Sequence, residues 1–256
     1  MALLPVTLPR MIELDAVKWA VLLCCGLMIG FTKTGVPGLG ILAVIILANV
    51  ISPRLSTGLI LPVLIVGDIF AVAYYRRHAV WKHLVKLLPW AILGIIPGYL
   101  LLDKLTDAQF KPVIGGIALV LIVMRHIQAR ISDKTPKFME SAWFAAIVGV
   151  LAGIVTMMAN AAGPIMTVYL LAMRLPKNEF IGTGAWYFLI LNCIKVPFSS
   201  DLGLINPMTL QINLAMFPLV VIGALAGIAV QKRIKQEHFN LVAEILAAAA
   251  AVKLLI

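Results

Sequence analysis

The chain has 256 residues, of which 62% are hydrophobic and only 12% are charged. A water-soluble domain carries about a quarter charged residues, so this composition excludes an ordinary soluble protein and predicts an all-α polytopic membrane protein. The net charge of +10 does not indicate nucleic-acid binding, because the basic residues lie in short connections between apolar runs, where they set membrane topology.

The first half of the chain contains five predicted helical segments, several of which approach the roughly 20 residues needed to cross a bilayer. Their predicted boundaries are 16–34, 38–51, 57–75, 84–102 and 109–125. A glycine-rich break, Gly30–Gly40, interrupts the first apolar run. We assign residues 1–126 to an N-terminal repeat and residues 127–140 to a cytoplasmic linker.

The second half, residues 141–256, is predicted to repeat this pattern with five more segments. Their predicted boundaries are 141–158, 161–173, 179–198, 208–231 and 239–256. A second break, Gly153–Gly163, lies 123 positions after the first, and Pro176-Lys177 follows it at the same offset as Pro53-Arg54 follows the first. The first two segments of each repeat therefore form a short or broken helical hairpin, and both a re-entrant and a fully spanning hairpin are compatible with the pattern.

Loop charge predicts that the two repeats are inverted. The connection 76–86 carries four Lys or Arg residues and no acid, whereas its equivalent, 199–207, carries one aspartate and no basic residue. The next pair of loops, 103–109 and 232–238, reverses in the same sense. Because basic loops face the cytoplasm, equivalent loops lie on opposite sides of the membrane, and both termini are expected outside.

The two breaks predict a binding site for a small anion near the midplane of the membrane. Pro164 favours a helix that starts there, and a second helix is expected to start after Gly38–Gly40. Helix N-termini carry positive partial charge and free N–H groups, which suit anions. The candidate substrate-binding residues of the breaks are Lys33, Thr34, Gly35, Gly38, Gly40, Asn160, Ala161 and Gly163. The alternative is that these small residues only allow close helix packing.

Charged residues inside apolar segments are the second indication of a site, because charge in hydrocarbon is costly. Lys33 lies in the first break and suits a cation beside an anion. Asn192 and Lys195 share one helix face and complete the candidate site, although Lys195 is close enough to a segment end to reach the membrane surface. Asp68 is expected either to take part in proton coupling or to form a structural ion pair.

Other classes of function find little support in the sequence. Cys24, Cys25 and Cys193 lie in apolar runs without metal-ligand spacing, and we expect neither a metal nor another cofactor. The chain lacks His-Glu-x-x-His and Gly-x-Ser-x-Gly motifs, so an enzyme is not expected. The N-terminus has no basic region followed by a cleavage site, so we expect no removable signal peptide.

Several motifs resemble the sulfite exporter family, TauE/SafE. In the first half they are GFTKTGVPGLG and YYRR followed by LLPWAILGIIPG, and in the second half GVLAG, NAAGP, YLLAMRLPKNEF and FLILNCIKVPF. The resemblance covers nearly the whole chain. It implies a permease of the bacterial inner membrane that moves sulfite, sulfoacetate or a related sulfur-containing anion outward.

These expectations describe a secondary transporter that works by alternating access of inverted repeats. The expected partners are the small anionic substrate and the lipid bilayer, without nucleic acid, and both proton coupling and a homodimer are compatible with this interpretation. An anion-selective channel, which would need a continuous pore, is the alternative, as is a permease for another small organic anion.

Overall fold

The computed structural model describes residues 15–37, 40–51, 53–102 and 141–255, and within these ranges the chain forms helices and no strand. In chain order the α-helices are α1 (Ala16–Thr34), α2 (Gly40–Val50), α3 (Pro53–Tyr75), α4 (Trp81–Leu102), α5 (Ala142–Ala159), α6 (Gly163–Ala172), α7 (Lys177–Asp201), α8 (Pro207–Arg233) and α9 (Gln236–Leu255). A 3-10 turn, Arg76–His78, joins α3 to α4. The predicted segment 109–125 and the linker 127–140 lie outside the described residues.

Within the described ranges, six helical stretches are long and apolar enough to cross a membrane, which confirms a polytopic membrane protein. They are Ala16–Thr34, Leu55–His78, Trp81–Leu102, Ala142–Ala159, Lys177–Asp201 and Pro207–Arg233. By contrast, α2 has 11 residues and α6 has 10. At 1.5 Å per residue these helices extend about 16 and 15 Å, roughly half of a hydrocarbon core. Each of the two short helices follows one of the two breaks.

Local sequence signals explain where the helices begin and end. The predicted span 16–34 matches α1 at both ends, and the Asp15 carboxylate caps it by accepting a hydrogen bond of 2.8 Å from Lys18 N. The prediction was too short for the third segment, because Pro53 is tolerated in the first turn and α3 begins there and not at residue 57. Similarly, α7 runs from Lys177 to Asp201 and not from 179 to 198, since polar residues at span ends can continue a helix into the interface.

Close backbone contacts join the two halves of the chain in matching ways. Helix α1 packs along α8, and α5 packs along α4. A Cβ atom at Gly30 would collide with the carbonyl oxygen of Val220, and a Cβ atom at Gly153 would collide with that of Ala91. Small residues allow this approach, as is usual between helices in membranes. The two contacts are counterparts, because Gly153 follows Gly30 by 123 positions and Val220 follows Ala91 by 129.

Helices α3 and α7 pack against each other and run antiparallel. The N-terminal turn of α3 lies at the far end of α7, where Gly58 contacts Leu204 just beyond that helix. The C-terminal end of α3 lies beside the start of α7, where Gly182 contacts Tyr75 O. This pair of helices carries Asp68, Asn192 and Lys195, which are described below.

Candidate functional site

A cavity of about 110 Å³ lies where the two helix breaks come together. Pro37 and Gly40 line it from the first break, and Asn160, Gly163 and Pro164 line it from the second. A single buried water needs roughly 10–15 Å³ on this scale, so the cavity holds several water-sized groups or one small organic anion. The remaining lining combines polar side chains with a larger apolar wall. Its other polar members are Thr32, Lys33, Asp68, Thr156, Thr167 and Asn192.

Two short helices begin at this cavity. Helix α2 starts at Gly40 and α6 starts at Gly163-Pro164, and no side chain caps the N-terminus of α6. The space in front of Gly163 is open, because a Cβ atom built there would meet no atom within 4 Å. Free N–H groups and the positive end of the helix therefore lie beside a space that a ligand can enter.

Lys33 and Asp68 form an ion pair at the cavity wall. The Nζ atom of Lys33 lies 2.7 Å from Oδ1 of Asp68 and 4.6 Å from the centroid of the Phe188 ring. Asp68 has no exposed surface, whereas 14% of the Lys33 side chain remains accessible. Both side chains border the cavity. The lysine side chain thus stays partly accessible while one carboxylate balances its charge.

Lys195 lies just behind the cavity wall and forms hydrogen bonds with two asparagine amides and one hydroxyl group. Its Nζ atom donates to Asn192 Oδ1 at 3.0 Å, to Asn160 Oδ1 at 2.5 Å and to Thr156 Oγ1 at 3.2 Å. An ammonium group has three protons, so these acceptors use all of its donors. Lys195 is 1% exposed, and the expectation that it could reach the membrane surface is therefore wrong.

The two asparagines have defined orientations, because each amide contacts an unambiguous acceptor with its nitrogen. Asn192 Nδ2 donates to Asp68 Oδ2 at 2.7 Å, and Asn160 Nδ2 donates to the Thr57 carbonyl oxygen at 2.9 Å. Asn160 ends α5 in the left-handed conformation, with φ of 51°. A continuous chain of polar contacts therefore runs from Lys195 through Asn192 to Asp68.

Besides Lys195, three of the predicted site residues are not part of the cavity lining. The hydroxyl of Thr34 donates to Ala224 O at 2.6 Å, Gly35 packs against Gly227, and Ala161 is buried with 1% exposure. Gly38 lies outside the described residues. The structure thus gathers Lys33, Gly40, Asp68, Asn160, Gly163 and Asn192 at one cavity, with Lys195 in contact behind it.

The cavity lining includes pairs of residues that the predicted repeat places at equivalent positions. The offset between the two halves is 123 near the breaks and 124 in α3 and α7. These pairs are Lys33 and Thr156, Pro37 and Asn160, Gly40 and Gly163, Val44 and Thr167, Leu64 and Phe188, and Asp68 and Asn192. Thr156 was missed by the sequence analysis, although its equivalence to Lys33 could have identified it.

Comparison with known proteins identifies the family. The family model described as "Sulfite exporter TauE/SafE" matches residues 22–254, nearly the whole chain. Neither the curated proteins nor the solved structures give a significant match. The chain belongs to the sulfite exporter TauE/SafE family of membrane transporters.

Proposed function

We propose that this protein is a secondary transporter that exports a small sulfur-containing anion, such as sulfite or an organosulfonate, across the bacterial inner membrane. Family membership implies a small anionic substrate and a lipid bilayer. The observation that carries the proposal is the cavity, because both breaks, two helix starts and Lys33 meet at it. The anion binds there, between Lys33 on one side and the N-terminus of α6 at Gly163 on the other.

Three kinds of donor favour an anion at this position. Lys33 contributes a positive charge, the start of α6, which no side chain caps, contributes free N–H groups, and the amide nitrogens of Asn160 and Asn192 each have a second N–H besides the one given to Thr57 O or Asp68. The surrounding apolar side chains lower the local dielectric constant, which strengthens each charge-assisted contact. Lys33 and Lys195 carry two positive charges and Asp68 carries one negative charge, so a bound anion would also balance the remaining positive charge.

Alternating access rests on the inverted repeat, and the helix packing supports that arrangement. A Cβ atom at Gly223 would collide with Leu27 O, and a Cβ atom at Gly94 would collide with Val150 O, again at equivalent positions of the two halves. Helices α3 and α7 are equivalent and antiparallel, as an inverted repeat requires. The cavity contains residue pairs related by the same equivalence, so a rocking of one repeat against the other can open it to either side in turn.

Asp68 is the proposed site of proton coupling. Its carboxylate is buried between Lys33 and the amide of Asn192, and it borders the cavity. In the proposed cycle the anion binds while Asp68 is ionised, and uptake of a proton by Asp68 weakens its attraction for Lys33 and changes the charge of the cavity. Proton binding and anion binding would then depend on each other.

Transport of radiolabelled anions in proteoliposomes tests the proposed function. We expect saturable movement of sulfite and of small organosulfonates, with a rate that changes when a pH gradient is imposed. A conductance far above the turnover of a carrier would favour a channel instead. Failure to move any of these anions would contradict the proposed substrate class.

A further inference from the structure

The net charge of the side chains around the cavity favours one class of anion. Among the described residues, Lys33 and Asp68 line the cavity and Lys195 contacts its wall through Asn192 and Asn160. These side chains carry two positive charges and one negative charge. No other charged side chain lines the cavity in the described part of the chain. The net charge at the site is therefore +1.

The hydrogen bonds of Lys195 favour its ammonium form. Asn192 and Asn160 turn their nitrogens towards the acceptors Asp68 Oδ2 and Thr57 O, so both amide oxygens face Nζ of Lys195. Thr156 Oγ1 is the third acceptor, at 3.2 Å. An ammonium group has a proton for each of the three oxygens, whereas a neutral amine has only two and would have to accept the third hydrogen bond from the Thr156 hydroxyl.

We propose that the cavity selects singly charged oxyanions, such as hydrogen sulfite or an alkylsulfonate, over doubly charged ones, such as sulfite or sulfate. This inference rests on the proposed function and specifies the charge of its substrate. A monoanion brings the buried charges to zero, whereas a dianion leaves one uncompensated negative charge in a medium of low dielectric constant. Without the negative charge of Asp68 the site would balance a dianion, and with that charge it balances a monoanion.

The test is equilibrium binding of methanesulfonate and sulfate to the full-length protein in nanodiscs, measured by titration calorimetry. These probes have similar size, since a methyl group replaces one oxygen, but they differ by one unit of charge. Sulfate also costs more to dehydrate, so the decisive quantity is how the affinity ratio changes between variants. One unit of charge a few ångströms away is expected to change that ratio by at least about tenfold.

Three variants place the net charge at different values. Asp68→Asn raises the charge of the site to +2 and should shift the ratio towards sulfate by tenfold or more. Lys33→Gln lowers it to zero and should shift the ratio towards methanesulfonate by a similar factor. The double variant, Lys33→Gln with Asp68→Asn, returns the charge to +1, and its ratio should return to within about threefold of the wild-type ratio.

A charge change elsewhere provides the control. Glu237 is exposed in the first turn of α9, and Glu237→Gln alters the total charge of the protein without altering the cavity. Its affinity ratio should equal that of the wild type. If Asp68→Asn does not fold, the step from Lys33→Gln to the double variant still isolates the charge of Asp68.

An affinity ratio that stays the same across these variants would overturn the charge selection while leaving anion transport intact. The charge selection would also be overturned if Glu237→Gln changed the affinity ratio as strongly as Asp68→Asn does. If neither probe nor sulfite binds the wild-type protein, both the proposed function and this inference are wrong.

Discussion

Asn192 donates a hydrogen bond of 2.7 Å to Oδ2 of Asp68, and the predicted repeat places these two residues at equivalent positions of the two halves. The bond joins α3 to α7, which pack against each other in antiparallel directions. Lys33 pairs with Asp68 within the first half, and Lys195 binds Asn192 within the second half. The contact between Asp68 and Asn192 is therefore a polar link between the two halves, which the proposed alternating access would have to rearrange.

Removal of the Lys33 side chain should weaken substrate binding. A hydrogen bond to a charged group contributes about 1.5–3 kcal/mol, so Lys33→Ala is expected to lower sulfite affinity by roughly ten- to a hundredfold. Binding to the purified protein and the half-saturation concentration for transport would both report this change. Lys232, which lies 5.4 Å from the Tyr74 ring, is a control lysine, and Lys232→Ala should retain wild-type affinity. An unchanged affinity in Lys33→Ala would remove this lysine from the site.

Gly163→Leu should block the site without unfolding the protein. The Cβ position of Gly163 faces open space in the cavity, so a leucine side chain fills the volume that the anion needs. We expect at least a tenfold loss of sulfite affinity, comparable with the loss of one charge-assisted contact, and a melting temperature close to that of the wild type.

Gly149→Leu is the matched packing control for Gly163→Leu. A Cβ atom at Gly149 would lie 2.8 Å from Leu87 O and 2.9 Å from Trp90 Cβ, so a larger side chain separates α5 from α4. Overpacking of this kind costs about 1–3 kcal/mol or more and should lower the melting temperature. If Gly163→Leu binds sulfite normally, the cavity is not the binding site.

The helices were largely predictable because long apolar runs and prolines mark spans and helix starts directly. The first helix was predicted at both ends, and the two short helices follow the two glycine-rich breaks as expected. Span ends were less predictable. Residues such as Lys177 and Asp201 are polar, and only their position relative to neighbouring helices decides whether they continue the helix.

The composition of the site was only partly predictable from the sequence. Lys33, Asp68 and Asn192 stood out because polar groups are rare in apolar segments. The burial of Lys195 could not be inferred, since its distance from the span end is compatible with either direction of the side chain. The equivalence of Asp68 and Asn192 was hidden by an extra residue at the start of α7, which changes the offset from 123 to 124.

Asp68→Asn should separate coupling from anion movement. The amide cannot carry a proton, so transport driven by a pH gradient is expected to be lost, while exchange of labelled for unlabelled anion across the membrane continues. Asparagine has nearly the shape of aspartate, which preserves packing beside Asn192. The two rates are measured in the same proteoliposomes. Loss of both activities together with loss of folded protein would show that Asp68 is a structural ion-pair partner.

Membrane topology can be tested by cysteine labelling of intact cells. Cys24, Cys25 and Cys193 are first replaced by serine or alanine. Loop charge predicts that an impermeant thiol reagent modifies Gly203→Cys, on the outside, and spares His78→Cys, on the cytoplasmic side. Both positions are exposed, so access depends on the side of the membrane. The reverse labelling pattern would contradict the inverted-repeat arrangement.

A structure of the protein with bound selenite most directly tests the claim that the anion lies between the two breaks. Selenite has the shape of sulfite, its protonated form carries one charge as hydrogen sulfite does, and the anomalous signal of selenium identifies its position. We expect one strong peak in the cavity, about 4 Å or less from Nζ of Lys33 and facing the N-terminus of α6 at Gly163. A peak outside the cavity, remote from both Gly40 and Gly163, would contradict this account of the binding site.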